Sequence, residues 1–224
     1  MHRLWQGSNR EGVLLQGLLK PSMPAIVLSR LQIQISLLKA HYEQPAEFVK
    51  RLRELFAGYA DPIQAVNPQA NRTLLVPAYN TPALLSREIE QSFLDHPMQL
   101  PEDTLEIIDL LWRQPELELR RLAIYLLGKL PAEHETAIVD RILTWSTVQE
   151  YAALHPYLFQ QGSLALRRKD PDAWMNMLEN WKTSGDPWKS RLSLRGLTPL
   201  IKDGEYANLP GIFTLLTSYF KDFQ

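Results

Sequence analysis

In ILTWSTVQEY, residues 142–151, an indole at Trp145 and an amide at Gln149 stand four positions apart, about one turn of helix. The pair offers an aromatic face and a neutral hydrogen-bonding group that could line a ligand site. The same residues also carry a plain local meaning. Ser146-x-x-Gln149 and Thr147-x-x-Glu150 are both capping-box patterns, in which a hydroxyl and a side chain three residues on satisfy the free amides of a new helix. On this stretch alone capping is the favoured reading, with a helix over about 146–158.

A second group of chemistry-bearing residues lies downstream. Leu164 to Lys202 holds eight bases (Arg167, Arg168, Lys169, Lys182, Lys189, Arg191, Arg195, Lys202) against four acids. Such a stretch is either a solvated face or a track for phosphates. Arg191 is open to two roles, a phosphate contact or a structural arginine bonding a neighbouring helix. Trp174 and Trp181 read as core, and Trp188, beside a proline, as packing at a helix start. The five histidines have no ligand spacing, so no metal site is expected. No Gly-rich phosphate loop or nucleophile elbow occurs in the sequence, and no cofactor is expected.

These residues must be positioned by helices. Asp170-Pro171 and Asp186-Pro187 each place a capping side chain before a proline, whose missing N–H costs nothing in a first helical turn. Thr81-Pro82 and Gln114-Pro115 are expected to do the same. Leu119, Leu122, Ala123, Leu126, Leu127 and Leu130 form one stripe at helical spacing. Further helices are expected over about 25–40, 45–58, 82–95, 135–144, 171–183, 187–201 and 208–220, and Leu105, Ile108, Leu111 and Trp112 line another. LLVPAY at 74–79 reads as an extended connector because of its proline. Arg121–Leu130 and Arg191–Leu200 echo each other, with leucines one, six and nine places after each arginine. The expected fold is all-α, a HEAT-like solenoid of stacked antiparallel helix pairs over residues 25–224, preceded by a poorly ordered extension at 1–24.

With 224 residues, 45% of them hydrophobic and 22% charged, the chain can bury a sizeable core. It has no cysteine, which excludes disulfides and thiolate metal sites and fits a reducing cytoplasm. No apolar run is long enough to cross a bilayer, so no membrane partner is expected. A monomer is expected. The formal charge of −1 argues against a strongly basic nucleic-acid binder.

VPAYNTPALLSREIEQSF (76–93), Leu111-Trp112, Glu118-x-x-Arg121-x-Ala123, Trp145 and DPWKSRLSL (186–194) together resemble the HEAT-like DNA alkylation repair family, the AlkD-type alkylpurine DNA glycosylases. The resemblance covers about residues 25–215. It implies a C-shaped solenoid that cradles duplex DNA on a basic concave surface and excises cationic N3- and N7-alkylpurines without flipping the base. The family site implies tryptophans at the deoxyribose, an aspartate one turn after the first tryptophan, and an arginine in Trp-x-x-Arg. Positive charge builds on the sugar as the glycosidic bond breaks, and arene faces and a carboxylate stabilise it.

By that resemblance Trp145 takes the place of the first tryptophan, and Arg191, three after Trp188, that of the arginine. Gln149 stands where the aspartate belongs, and an amide lacks the net charge that would oppose an oxocarbenium ion. The family's C-terminal tryptophan helix has no match in TLLTSYFKDFQ. The expected function is duplex-DNA binding through Trp188, Lys189, Arg191 and Arg195, with weak or absent glycosylase activity at Trp145, Gln149 and Arg191. The alternative is a HEAT scaffold that binds a protein partner.

Overall fold

A computed structural model describes residues 26–60, 76–94, 101–204 and 206–221. Among these residues all regular structure is helical. Ten α-helices longer than one turn follow one another: α1 (Leu28–Lys39), α2 (Pro45–Gly58), α3 (Ala83–Leu94), α4 (Pro101–Trp112), α5 (Leu117–Leu127), α6 (Glu135–Ser146), α7 (Leu164–Lys169), α8 (Pro171–Thr183), α9 (Pro187–Asp203) and α10 (Leu209–Lys221). The expected extension at 1–24 lies outside the described residues. None of the helices is long and apolar enough to cross a membrane.

The Asp-Pro starts hold. The Asp170 carboxylate accepts the Ala173 N–H at 2.8 Å, and Asp186 accepts those of Trp188 and Lys189 at 2.8 and 3.4 Å. Gln114-Pro115 does not start a helix. The Gln114 amide turns back to donate to the Leu110 carbonyl at 2.9 Å, and α5 begins only at Leu117. The two glutamates there anchor the connector instead. Glu118 accepts the backbone N–H groups of Tyr79 and Asn80 at 3.0 and 2.8 Å, while Glu116 meets Arg53 at 3.0 Å and the Tyr79 hydroxyl at 3.2 Å.

The α5 stripe is buried as its spacing predicts, but Ile124 and Arg120 are buried with it, so α5 is enclosed nearly all round. It packs along α4, and α8 packs likewise along α9. The echoed leucines match in burial, with Leu122, Leu127 and Leu130 in one segment and Leu192, Leu197 and Leu200 in the other all in the core. Ser193 adds a polar contact to its small size, its Oγ lying 2.7 Å from the Tyr219 hydroxyl of α10.

The helix expected over 146–158 is not there. Trp145 lies in the last turn of α6, and the hydroxyls of Ser146 and Thr147 bond backward, to the Ile142 and Thr144 carbonyls at 2.6 and 2.7 Å. Neither is left to cap anything, so both capping boxes fail. Val148 is extended, a 3-10 stretch follows over Gln149–Leu154, and one α-turn at His155–Tyr157 widens into a π-turn at Leu158–Gly162. That π-turn touches both α5 and α9. It approaches α5 so closely that a Cβ on Gly128 would run into the Gln161 carbonyl. The short α7 had no counterpart in the sequence reading. It stops where Asp170, forced extended by the following proline, begins the next cap.

Candidate functional site

Trp145 is drawn inward. Its indole is 4% exposed and stacks on Trp112, the last residue of α4, with centroids 4.2 Å apart and planes 8° from parallel. One turn earlier on each helix, Arg141 of α6 grips Asp109 of α4 through two hydrogen bonds of 2.8 and 2.6 Å. The ion pair and the ring stack thus fasten the same two helices at neighbouring turns. Asp109 is engaged with this arginine.

Tyr151, in the 3-10 stretch, presents a roughly perpendicular ring to Trp112 at 6.0 Å. The Arg120 guanidinium of α5 lies 3.4 Å from the Tyr151 ring centre and 5.2 Å from that of Trp112. Its Nε–H donates to the Gln114 carbonyl at 2.5 Å, and the residue is only 6% exposed. A charge so enclosed needs such partners, and a flat, weakly hydrated guanidinium suits ring faces better than an ammonium would. The backbone of Gln149 opens the 3-10 stretch, and its side chain lies outside the described residues.

The downstream candidates separate. Arg191 is exposed on α9 and lines a cavity of about 360 Å³ with Lys182, Leu194, Leu216 and Phe220. Among the described residues it makes no hydrogen bond or ion pair, which weighs against a structural arginine. Lys189 and Trp188 are half-buried at the helix start, the latter with its indole Nε1 enclosed and unpartnered. Arg195, one turn beyond Arg191, is the arginine that reaches the 148–155 segment, its Nη1 lying 2.5 Å from His155 Nδ1. His155 is 1% exposed, and burial, with the Arg195 charge, pushes its pKa below the usual value. Arg167 is withdrawn from the basic face altogether. It is buried against Asp203, Ser163 and the Gln160 carbonyl. Trp174 and Trp181 are core residues in perpendicular contact at 6.0 Å.

Sequence reasoning did not single out Arg120, Tyr151 or His155. Arg120 adjoins Arg121, whose guanidinium sits over the Tyr157 ring from an exposed position, and nothing local distinguishes the buried arginine from the exposed one. A hint lies in spacing, since Arg120 directly follows the buried Leu119.

An all-helical protein with an aromatic and arginine cluster where helices α4, α5 and α6 meet is the class that fold and site define. A sequence model of the family described as DNA alkylation repair enzyme matches residues 52–223, and the chain belongs to that family. Comparison with curated proteins and with solved structures returned no match.

Proposed function

We propose that the protein binds duplex DNA on one face of a HEAT-like solenoid and releases N3- or N7-alkylpurines weakly or not at all. The observation that carries this reading is the family membership combined with a glutamine, Gln149, at the place of the family's aspartate. The paired helices α4–α5 and α8–α9, with their matching buried leucines, support the repeat architecture. The exposed Arg168, Lys169, Arg191, Arg195 and Lys202 support a phosphate-facing surface. Weak excision is favoured twice over. The carboxylate is missing, and the arene faces of Tyr151 and Trp112 already attend a cation of the protein's own, Arg120. A mobility-shift titration against duplex DNA over a salt series tests the binding. Affinity that falls steeply with salt supports it, and no shift at low salt refutes it.

The scaffold reading keeps one observation in its favour. Phe213 and Phe220 of α10 are 65% and 73% exposed, and Leu194 of α9 is also exposed, an apolar surface of the kind that protein partners cover. A failed DNA titration would decide for it.

A further inference from the structure

Trp145 and position 149 belong to different elements. The indole closes α6, whereas Gln149 opens a 3-10 stretch whose own hold is slight. Three-residue turns bond with poor geometry. The Val148 N–H reaches the Trp145 carbonyl only at 3.4 Å, and Tyr151 departs from helical angles at φ −105°, ψ 21°. Among the described residues, the ring contact that ties this stretch to the indole pair is that of Tyr151. Its ring meets the Arg120 guanidinium at 3.4 Å and the Trp112 ring at 6.0 Å, the guanidinium itself lies 5.2 Å from Trp112, and Trp112 in turn stacks on Trp145. Arg120 is itself fixed by its bond to the Gln114 carbonyl, so the clamp has a rigid base in the α4–α5 connection.

We propose that Arg120 is a positioning residue that clamps Tyr151 onto the Trp112–Trp145 pair and so holds the backbone of the 149–154 stretch at the end of α6. The proposal rests on the DNA-binding reading for its functional meaning, since it concerns the same site. A lysine would keep the charge but lose the flat stacking surface and the in-plane Nε–H. Replacing Tyr151 with phenylalanine keeps the ring and hence the clamp.

The test is amide hydrogen exchange of residues 148–155, alongside duplex-DNA affinity at low salt, in the full chain. Arg120→Met and Tyr151→Leu should each speed exchange of this stretch about tenfold, the order of one cation–π contact. Arg120→Lys should do so nearly as much, and Tyr151→Phe should match the wild type. The double variant Arg120→Met/Tyr151→Leu should fall well short of the product of the two single effects, because both singles already remove the Arg120–Tyr151 contact. DNA affinity should fall in the variants whose segment opens and hold in Tyr151→Phe. Unchanged exchange or fully additive effects in the double variant would each overturn the clamp, and an opened segment with undiminished affinity would overturn its part in DNA binding. If Arg120→Met does not fold, Tyr151→Leu carries the test, since it leaves the Arg120–Gln114 bond in place. A wild type that fails to bind duplex DNA would remove the functional reading, while the exchange rates would still decide the clamp.

Discussion

The indoles of Trp112 and Trp145 lie in parallel stack at 4.2 Å, each at the C-terminal end of its helix. Trp145 is thus held from behind by a partner of its own kind. Removing it should be costly, about 3–5 kcal/mol for Trp145→Ala in urea unfolding, because the cavity cannot close while Trp112 stands against it. A cycle of Trp112→Leu and Trp145→Leu should show coupling of about 1 kcal/mol, the excess that stacked rings hold over buried area. Simple additivity would show that the stack matters only as volume.

Gln149→Asp places a carboxylate where the family carries one. At the start of a helical turn the acid should be tolerated with little loss of stability. The variant should release more base than the wild type from a duplex containing N7-methylguanine, as quantified by chromatography. Brisk release by the wild type would show that the carboxylate is dispensable.

Arg191→Ala and Lys189→Ala should weaken duplex binding and leave folding nearly unchanged. Arg191 is exposed, so its loss should shift stability by no more than about 0.5 kcal/mol. Each lost phosphate contact should lower the slope of log affinity against log salt by about one. Unfolding on Arg191→Ala would return that arginine to a structural role.

Gly128→Ala should destabilise the protein by about 3 kcal/mol, read as a lowered urea midpoint. The added methyl meets the Gln161 backbone carbonyl, which cannot rotate away as a flexible side chain would. A neutral outcome would mean that the π-turn moves freely against α5.

His155 makes stability depend on pH in a definite direction. Its pKa in the folded protein lies below the ordinary 6.5, through burial and the neighbouring Arg195 charge, so the folded state takes up its proton less readily than the unfolded chain. Stability from this group is present above about pH 6.5 and is lost as pH falls below it toward the folded value. His155→Gln keeps an acceptor for Arg195 and cannot titrate, so its urea midpoint should fall less than that of the wild type between pH 7.5 and 5.5. Equal slopes would assign the loss to other groups.

Most of the longer helices were legible in the chain because they rest on short-range rules. The Asp170-Pro171 and Asp186-Pro187 caps, the Leu119–Leu127 stripe and the core tryptophans Trp174 and Trp181 all follow from neighbours within a turn or two. Family membership was legible as well, since it is a pattern along the sequence. What only the tertiary structure decided is where a residue's partner comes from another helix. Trp145 turns inward because Trp112 and Asp109, the partner of Arg141, lie on α4. Arg120 is buried and Arg121 exposed because Tyr151 and Gln114 offer the first a ring and a carbonyl. The capping boxes at 146–150 failed for the opposite reason. α6 runs on through Ser146, whose hydroxyl bonds the carbonyl four residues back, and a local motif could not reveal where the preceding helix would end.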